Sequence, residues 1–473
     1  MPAAVNFVQI LTDDQGWGDL GCFGHPFIKS PHLDQLAVEG MKFTHCYAAD
    51  SVCSPSRAAI LTGRTPFRNG VYRWIPHNHF CHLPKSEVTT PQVLRNNGYQ
   101  TAHFGKWHLS YYDETSVRGK PEETHNFKMG GELAGQPTMN DYGYDDWFST
   151  GNVARPNHEN PRNFFRNGEA MGEMKGFSAQ IVAREFVTWL REHREGGRPF
   201  FVTVWFHEPH GPINSDPEYL ARYPDVQDPS LRQYYANITQ IDEAVGVIVN
   251  ALKEGGLFDN TMLSYTSDNG PEGKHEFGTF NTSDSPYDGS RYRGSTGGLR
   301  GRKKHTHEGG IRVPGIISWP SGFREAGVAA GTICSEPVIG SDFFATTLDA
   351  AGLPIPDDRP LDCQSILPLL QNQSFRRHKP LYWRNTFFEF TVALREGDWK
   401  ILADPLRERF ELHNLAKDSR ETADVSNHYP EIFEEMKRKL IAYDDEVLAE
   451  GPKWWKDETR PGTMNQLMPE PMW

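Results

Sequence analysis

The sequence predicts an α/β protein with a large mixed, mostly parallel sheet sandwiched by helices, followed by a smaller C-terminal α+β unit. Three observations predict this class. The chain has 473 residues, enough for one large and one smaller domain. Short apolar runs alternate with helical patterns through most of the chain, which is typical of a parallel sheet. After about residue 365 the apolar runs are spaced like hairpins, which indicates an antiparallel sheet.

Five strands of the larger sheet are predicted from short apolar runs that end in front of polar residues. Runs of this length favour buried strands over helices, which need ten residues or more. The runs lie at residues 5–11, 100–104, 200–206, 262–266 and 315–319.

Helices between these strands are predicted from the residues at their ends. A Ser or Thr before Pro suits a helix start, because the first turn leaves its N–H groups unpaired, and Gly often ends a helix. Three helices are expected from Ser30-Pro31 to Gly40, from Thr90-Pro91 to Gly98 and from Ser341 to Gly352, and a longer one from Ser230 to Lys253.

The C-terminal region is predicted as a small antiparallel sheet covered by one amphipathic helix. Its strands are expected at residues 381–383, 391–395, 399–402 and 409–413, and its helix at 430–448. We therefore divide the chain into a larger α/β domain, residues 1–365, and a C-terminal subdomain, residues 366–473. The tail after Gly451 is rich in Pro, Trp and Met, and we expect it to pack on its own chain or on a neighbour.

Composition narrows the function and the location. The net charge of −13 argues against nucleic-acid binding, although a local cationic pocket still allows an anionic substrate. No stretch approaches the length of a membrane span, and the six cysteines form no C-x-x-C pair. The run at residues 5–11 lacks the basic leader and cleavage site of a signal peptide. We expect a periplasmic or secreted protein whose leader is absent from this chain, with a cytoplasmic location as the alternative.

Polar side chains that can do chemistry follow four of the predicted strands. In open parallel sheets ligands bind at the carboxyl ends of the strands, so we expect these side chains to meet at one edge. They are Asp13 and Asp14 after the first strand, Lys106 and His108 after the second, His207 after the third, and Asp268 and Asn269 after the fourth.

The four oxygen-bearing residues of this set predict a metal site. Carboxylate and amide oxygens are the ligands of hard divalent cations, and the set contains no imidazole or thiolate, which favours Ca²⁺ or Mg²⁺ over zinc. The alternative for each pair is local, because Asp-Asp after a strand is often a helix cap and Asp-Asn-Gly is a strong turn sequence. The predicted ligands are Asp13, Asp14, Asp268 and Asn269.

Cys53 begins the most informative segment of the chain, the run CSPSRAAILTGR at residues 53–64. A lone cysteine is usually a small buried hydrophobe. This run, however, resembles the signature of the type I, formylglycine-dependent sulfatases of the alkaline phosphatase superfamily. The resemblance implies that a maturation enzyme converts Cys53 to formylglycine, whose hydrate is the nucleophile and also a metal ligand. It further implies an alkaline-phosphatase-like fold and, more often than magnesium, calcium as the metal.

Three further blocks resemble the same family: GKWH at residues 105–108, HEPH at 207–210 and LRGRKKHTHEGGIRVP at 299–314. The resemblance implies roles for single residues within them. If Pro55 starts a helix, Arg57 lies in its first turn beside residue 53 and faces the sulfate. The implied roles are sulfate contact for Lys106, removal of the proton that collapses the intermediate for His108, and proton donation to the leaving alcohol for His207 or Lys303. Counting back from EGG selects Lys303 rather than Lys304.

The substrate is expected to be a sulfated glycan or its fragments, by resemblance to bacterial carbohydrate sulfatases of the N-acetylgalactosamine-6-sulfatase type, and a sulfated steroid or lipid is the alternative. The segment YRWIPHNHF at residues 72–80 is predicted to rim the pocket, because aromatic rings and imidazoles suit sugars. An ordinary packed loop is the alternative. We select Trp74 and His77 from this segment and His210 from HEPH as substrate-binding residues. For His210 a core histidine with satisfied hydrogen bonds is the alternative.

Two other functions stay open at this stage. One is a phosphonate or phosphodiester hydrolase of the same superfamily with the same modified residue. The other is a calcium-dependent glycan-binding protein, which would follow if Cys53 stays unmodified. The GKWH and EGG blocks favour the sulfatase, and a binding protein would not need a proton donor.

Overall fold

The structure is a computed structural model that describes residues 4–75, 81–110, 137–193, 197–273 and 289–451. Within these ranges the strands are β1 (Asn6–Thr12), β2 (Met41–Tyr47), β3 (Gln100–Lys106), β4 (Asp146–Thr150), β5 (Phe165–Arg166), β6 (Glu169–Ala170), β7 (Phe200–Trp205), β8 (Thr261–Ser267), β9 (Arg312–Ser318), β10 (Thr332–Cys334), β11 (Val338–Ile339), β12 (Leu381–Arg384), β13 (Val392–Glu396), β14 (Trp399–Ala403) and β15 (Phe410–Asn414). The helices are α1 (Pro31–Glu39), α2 (Cys53–Thr62), α3 (Pro66–Asn69), α4 (Thr90–Asn96), α5 (Ser178–His193), α6 (Pro217–Leu220), α7 (Pro229–Glu254), α8 (Glu308–Ile311), α9 (Pro320–Ala326), α10 (Asp342–Ala350), α11 (Leu367–Leu370) and α12 (Pro430–Glu450).

The larger sheet is mixed and mostly parallel, as the sequence predicts. Its strands lie in the order β10-β2-β9-β8-β1-β7-β3-β4-β5-β6, and β11 also pairs with β2. The five central strands, β8, β1, β7, β3 and β4, are parallel, so their carboxyl ends meet at one edge. Strand β9 is antiparallel to β8, which places the start of β9 at that same edge. The loop before β9 therefore reaches the site.

Both faces of this sheet are buried. Successive side chains of a strand point to opposite faces, so each central strand contributes to two separate cores. In β1, Val8 and Ile10 lie in one apolar core with residues of α1, α5 and α7. Phe7 and Leu11 lie in a second core with residues of α2, α4 and α10. The sheet is therefore sandwiched by helices, and the predicted fold class is confirmed.

The C-terminal strands β12 to β15 form a separate four-stranded antiparallel sheet, as predicted. One face packs on α12 through Met436 and Leu440. The other face packs on the larger unit, where Trp383 meets Tyr47 and donates a hydrogen bond to the carbonyl of Ala48 at 2.8 Å. The division at residue 365 stays a prediction.

The predicted helices exist, but their ends are made differently. Thr89, one residue before the predicted start, caps α4 by accepting a hydrogen bond from the N–H of Gln92. Neither Ser30 nor Ser341 caps its helix through the side chain. The Ser30 hydroxyl is used by tertiary structure instead, since it accepts a hydrogen bond from the N–H of Gly21 at 2.9 Å. In the described ranges no helix is both long and apolar enough to cross a bilayer. The tail after residue 451 lies outside them.

Candidate active site

Cys53 is the first residue of α2 and lies buried near the edge where the parallel strands end. It therefore sits at the positive end of the helix dipole. Its thiol donates a hydrogen bond to Asp13 Oδ1 at 3.3 Å. Burial, and next the charge of Asp13, raise the pKa of this thiol well above its usual value. As a cysteine, the side chain is therefore a neutral thiol and a poor nucleophile at neutral pH.

Four of the predicted site residues form one cluster beside this thiol. Single ligand atoms of Asp13, Asp14, Cys53 and His210 all lie within 4.8 Å of one another. The two aspartates directly follow β1. The backbone of Asp14 has a φ of 67°, a left-handed conformation that non-glycine residues seldom adopt and that is common at functional sites.

Asn269 supplies the strongest sign that this cluster suits a cation. Its amide nitrogen donates to Asp14 Oδ1 and to the carbonyl of Gly270, both at 2.8 Å, which fixes the orientation of the amide. Its Oδ1 is buried and has no hydrogen-bond partner in the part of the chain that the structure describes. A buried amide oxygen beside carboxylates is the donor set of a hard divalent cation. The residues present therefore fit Ca²⁺ or Mg²⁺.

Two buried cations lie against these carboxylates. Arg57 in α2 donates to Asp268 Oδ2 from Nε at 2.9 Å and from Nη2 at 2.7 Å. Its Nη1 donates to the carbonyl of Lys106 at 3.0 Å, and Lys106 Nζ pairs with Asp13. Burial opposes ionisation of Asp13, but Lys106 and the other nearby cations outweigh it and hold its pKa well below the usual value. Asp268 is thus bound to Arg57 at the edge of the cluster.

The two neighbouring lysines of the loop before β9 point to different places. Lys303 Nζ lies 2.6 Å from Asp14 Oδ1 and 3.6 Å from Glu272. Burial disfavours its charged form, but Asp14 outweighs this effect and raises the pKa of Lys303 well above its usual value. Lys304 Nζ lies 3.9 Å from Glu272 and 5.7 Å from the centre of the Trp74 ring. The structure therefore brings Lys303, not Lys304, into the cluster.

His108 has one ring nitrogen, Nδ1, without a hydrogen-bond partner among the described residues. Its Nε2 lies 2.9 Å from the carbonyl oxygen of Ile75, which can only accept, so Nε2 carries the proton. In the neutral ring Nδ1 is then an acceptor, and it has no hydrogen-bond partner among the described residues. Burial, and next the charge of Lys106, lower the pKa of His108 well below its usual value. His108 is therefore neutral, and its Nδ1 is an acceptor.

The hydrogen bonds around His207 likewise determine which of its ring nitrogens carries the proton. Thr150 at the end of β4 donates its single hydroxyl hydrogen to the carbonyl of Asn152 at 2.7 Å. The hydroxyl must therefore accept the hydrogen bond that His207 Nε2 donates to it at 2.8 Å. His207 Nδ1 is then an acceptor, and it has no hydrogen-bond partner among the residues that the structure describes. Burial, and next His158, lower the pKa of His207 well below its usual value. His207 is thus a neutral acceptor in this arrangement.

The three predicted substrate-binding residues differ in what the structure shows of them. His210 is half-buried, and its Nε2 lies 3.8 Å from Asp14 Oδ2, so it stands beside the carboxylates. Trp74 is half-buried and stacks on Phe387 of the C-terminal unit, with ring centres 5.1 Å apart. His77 lies outside the described residues.

Sequence reasoning missed three residues that contact the predicted set: Thr150, Glu272 and Ile75. Thr150 ends a parallel strand like the predicted site residues, so the strand-end rule would have found it had β4 been recognised. Glu272 follows β8 by five residues, and no motif marked it. Ile75 acts through its backbone, since its carbonyl faces His108 and its N–H donates to Ser54 Oγ at 3.0 Å. No side-chain pattern could have indicated this.

The arrangement can bind an anionic ester and hydrolyse it. Three buried cations lie among three aspartates and Glu272, so a bound divalent cation would make the site positive and attractive to an anionic ester. The cations are Arg57, Lys106 and Lys303, and the carboxylates are Asp13, Asp14 and Asp268. Residue 53 stands at a helix N-terminus, and its thiol lies beside Asp13, Asp14 and His210.

These features define a hydrolase of anionic esters built on a mixed, mostly parallel sheet. The chain belongs to the sulfatase family, which consists of sulfuric ester hydrolases. Residues 5–353 match the family model described as Sulfatase. Residues 301–446 match a model described as N-sulphoglucosamine sulphohydrolase, C-terminal. The family predicted from the CSPSR motif is therefore confirmed.

Known proteins similar to this chain agree with that assignment. N-acetylgalactosamine-6-sulfatase of Rattus norvegicus is 31% identical, over 83% of this chain and 71% of that protein. Steryl-sulfatase of Mus musculus is also 31% identical, over 84% of this chain and 70% of that protein. Ps i-CgsB, solved in complex with k-i-k-neocarrahexaose, superposes with a TM-score of 0.80 at 24% identity, over 99% of this chain and 98% of that chain. At that identity the superposition shows a shared fold.

Proposed function

We propose that this sulfatase hydrolyses sulfate esters of a carbohydrate, either a sulfated glycan or its oligosaccharide fragments, with residue 53 as the nucleophile. The observation that carries the chemistry is the meeting of Cys53, the Asp13-Asp14 pair and Lys303 at one sheet edge. The choice of a carbohydrate is supported by the similarity to N-acetylgalactosamine-6-sulfatase and to the fold of a protein solved with an oligosaccharide.

Two groups that the chain would acquire complete the site. Formylglycine, made from Cys53 by a maturation enzyme, would supply an aldehyde whose hydrate carries two hydroxyls in place of the inert thiol. A Ca²⁺ or Mg²⁺ ion would supply positive charge beside residue 53 and the sulfate oxygens. The predicted ligands are Asp13, Asp14, Asp268, Asn269 and residue 53. The Oδ1 of Asn269, which has no hydrogen-bond partner among the described residues, supports this set.

The remaining polar side chains divide between holding the sulfate and moving protons. Arg57 and Lys106 are buried cations whose positions are fixed by Asp268 and Asp13, so they can hold sulfate oxygens without reorganising. His108 would accept, at Nδ1, a proton from a hydroxyl that formylglycine would supply at residue 53. His210 contacts the substrate from the half-buried side of the cluster.

Of the two candidate proton donors, we propose Lys303. It is a protonated amine fixed 2.6 Å from Asp14, whereas His207 is neutral and has its single ring hydrogen committed to Thr150. A neutral imidazole of this tautomer can accept a hydrogen bond at Nδ1 but cannot protonate a leaving alcohol from it. His207 therefore serves as an acceptor that orients the substrate.

The first test is the mass of the tryptic peptide that carries residue 53, together with sulfate release from sulfated sugars. A loss of ~18 Da relative to the cysteine form, with turnover, is the expected result, since a thiol gives way to an aldehyde. Cys53→Ala should abolish turnover and leave the fold intact. Cys334→Ala, a half-buried cysteine in β10, is the matched control and should keep activity. Retained activity in Cys53→Ala would remove residue 53 from the mechanism.

The same experiment separates the two other functions. Faster turnover of a phosphate diester than of any sulfate ester would make the protein a phosphodiester hydrolase. An unmodified Cys53 after co-expression with the maturation enzyme, combined with calcium-dependent glycan binding, would make it a binding protein. The maturation enzyme as a partner and the periplasmic or secreted location stay predictions.

A further inference from the structure

We propose that the unmodified protein, in which residue 53 is still a cysteine, has a four-ligand zinc site at the edge of the larger sheet. The ligands are Asp13, Asp14, Cys53 and His210, whose ligand atoms all lie within 4.8 Å of one another. Conversion of Cys53 to formylglycine then changes the metal preference of the site as well as creating the nucleophile. The inference goes beyond the proposed function, because it concerns the form of the chain that lacks formylglycine.

The four donors are of the types that zinc takes. Zn²⁺ binds thiolate sulfur, imidazole nitrogen and carboxylate oxygen in tetrahedral sites, whereas Ca²⁺ and Mg²⁺ take oxygen ligands. The ligands predicted from the strand ends were oxygen donors only. The structure adds the sulfur of Cys53 and a ring nitrogen of His210 to the two aspartates after β1. Such a mixed set favours a borderline metal over a hard one.

Two of the distances between these donors match a tetrahedral zinc site. Zinc–ligand bonds of about 2.0–2.3 Å place neighbouring ligand atoms about 3.2–3.8 Å apart. Cys53 Sγ lies 3.3 Å from Asp13 Oδ1, and His210 Nε2 lies 3.8 Å from Asp14 Oδ2. Zn²⁺ takes the place of the hydrogen between Sγ and Oδ1. The S–H bond breaks, its proton goes to solvent, and a Zn–S bond forms.

The ring of His210 is oriented as that of a metal ligand. Its Nδ1 lies 2.6 Å from the carbonyl oxygen of Gly211, which can only accept, so Nδ1 carries the proton of the neutral ring. Nε2 then keeps its lone pair, and this nitrogen is the one beside Asp14. Metal-binding histidines typically donate their other ring N–H to a carbonyl or a carboxylate, which fixes the tautomer and the direction of the lone pair.

Backbone hydrogen bonds hold the two ligand segments together. The N–H of Asp13 donates to the carbonyl of Glu208 at 3.0 Å, and the N–H of His210 donates to the carbonyl of His207 at 3.0 Å. The turn that carries His210 is therefore tied to the end of β1, which carries both aspartates. A ligand set that is held in place in this way needs little reorganisation to bind a metal.

The neighbouring lysines are compatible with a bound metal. Lys106 pairs with Asp13 through Oδ2, whereas Cys53 contacts the other oxygen, Oδ1. Lys303 lies 2.6 Å from Asp14 Oδ1 and 2.8 Å from Oδ2. A carboxylate has about four lone-pair sites, so it can bind an ammonium group and a metal together. Positive charge near residue 53 also favours the thiolate that zinc requires.

Conversion of Cys53 removes the sulfur ligand and with it the preference for zinc. Formylglycine brings oxygen donors in place of a thiolate, so residue 53, the aspartates and the Oδ1 of Asn269 form an all-oxygen set. His210 is then free to contact the substrate. The chemical state of residue 53 therefore decides which metal the cluster binds.

Co²⁺ binding tests the site on the full-length protein made without the maturation enzyme, with its cysteine verified by mass. Co²⁺ is a coloured substitute for Zn²⁺, and a stoichiometric amount should give the near-ultraviolet charge-transfer band of a cobalt–thiolate bond. Zn²⁺ should remove this band by displacement. Cys53→Ser and His210→Gln should each weaken Zn²⁺ binding at least ~10-fold, since changing a residue that only supports a ligand costs about 10–100-fold. The matured protein should lack the band and bind Zn²⁺ more weakly by a similar factor.

His193→Gln and Cys334→Ser are the matched controls and should keep the cobalt band. The Nδ1 of His193 lies 2.8 Å from the carbonyl of Trp189, and its Nε2 lies 3.4 Å from Asp146. His193 thus resembles His210 in its contacts but belongs to no metal-binding cluster among the described residues. Cys334 is a half-buried cysteine in β10.

Absence of the cobalt band from the unmodified protein would overturn the zinc site, and so would a band that Cys53→Ser or His210→Gln leaves unchanged. The matured protein provides a second form without sulfur if Cys53→Ser does not fold. Sulfate release by the matured protein is measured separately. A band in the unmodified protein without sulfate release after maturation contradicts the proposed function alone, whereas release without the band contradicts the zinc site alone.

Discussion

At the scale of single residues, the site separates groups that hold charge from groups that move protons. Arg57 and Lys106 are fully buried and paired with carboxylates, so they are charged and immobile. His108 and His207 are also buried, but each donates only one ring hydrogen. The acceptor is the carbonyl of Ile75 for His108 and the hydroxyl of Thr150 for His207, and both rings are therefore neutral. Lys303 combines both properties, because it is protonated and lies against Asp14. Its role as proton donor can be tested directly.

Lys303→Met should slow hydrolysis of a sugar sulfate by ~10²–10⁴-fold, the usual contribution of a general acid. Hydrolysis of an aryl sulfate with an acidic phenol should fall much less, because that leaving group needs no proton. His207→Gln, which keeps a hydrogen-bonding side chain, should slow both substrates by similar factors. The measurement is kcat/KM against the pKa of the leaving alcohol. An equal effect of Lys303→Met on both substrates would remove the donor role.

Removal of divalent cations should abolish turnover, and Ca²⁺ or Mg²⁺ should restore it. The free Oδ1 of Asn269 predicts that Asn269→Ala raises the cation concentration needed for half-maximal activity. Loss of one ligand typically weakens binding by several-fold or more, whereas turnover at saturating cation should fall less. Asn260→Ala, an asparagine outside the site that donates to the carbonyl of Ala4, is the control. Full activity in the presence of a chelator would refute the metal site.

Sequence reasoning predicts residues that belong to side-chain motifs, and it fails for contacts that depend on a hydroxyl orientation or on a backbone atom. Lys303 could be chosen over Lys304 by counting from the EGG motif, and in the structure Lys303 is the one of the two that pairs with Asp14. Its catalytic role stays a prediction. The neutral tautomer of His207 could not be predicted, since it depends on the hydroxyl of Thr150 and on where that hydroxyl sends its hydrogen. The carbonyl of Ile75 is likewise invisible to any side-chain pattern.

At the scale of elements, a buried charge network joins the short helix α8 to the C-terminal sheet. Lys400 of β14 lies between Glu308 of α8, at 3.0 Å, and Glu421, at 2.8 Å. All three side chains are fully buried, and Tyr47 donates a second hydrogen bond to Glu308 at 2.7 Å. Because α8 follows the Lys303 loop in sequence, this network links the C-terminal sheet to the position of Lys303.

Lys400→Met should therefore destabilise the protein by about 3–5 kcal/mol, the cost of leaving buried carboxylates without their partner. It should also lower kcat, because the loop before α8 loses its support. Adding Glu421→Gln should recover part of the stability by removing one of the stranded charges. Lys439→Met is the control, since Lys439 pairs with Glu396 on the exposed side of α12, and no measurable change is expected there. Denaturant unfolding of the four proteins gives the result, and an unchanged midpoint for Lys400→Met would contradict it.

The elements themselves were largely predictable, and the exceptions have separate causes. All five predicted strands of the larger sheet exist. The clearest is β7, FFVTVW, a nearly unbroken apolar run of the kind expected for a strand buried on both faces. Strand β2 was not predicted because its sequence, MKFTHCY, alternates apolar and polar residues and lies near the sheet edge. Thr89 replaced Thr90 as a cap because both threonines precede Pro91, and sequence alone does not distinguish them.

At the scale of the whole molecule, the two sheets share a core instead of meeting through a hydrated interface. Leu381, Trp383 and Leu402 of the C-terminal sheet pack in one buried cluster with residues of the larger unit, among them Ala59 of the Cys53 helix. Helix α11, beyond residue 365, packs in the core of the larger sheet through Leu367 and Leu370. We infer that the two units fold together, even though their topologies are separate.

A chain ending at residue 379 tests this inference, because it keeps α11 and removes β12 to β15 and α12. Truncation would expose the buried side chains that now face Trp383, and each large apolar side chain returned to water costs roughly 1.5–3 kcal/mol. Several such losses exceed the usual stability of a domain, about 5–15 kcal/mol. We therefore expect the truncated chain to be insoluble or unfolded. The full chain should unfold in one cooperative calorimetric transition. Two separate transitions, or a folded and active chain ending at residue 379, would show that the C-terminal sheet is an independent domain.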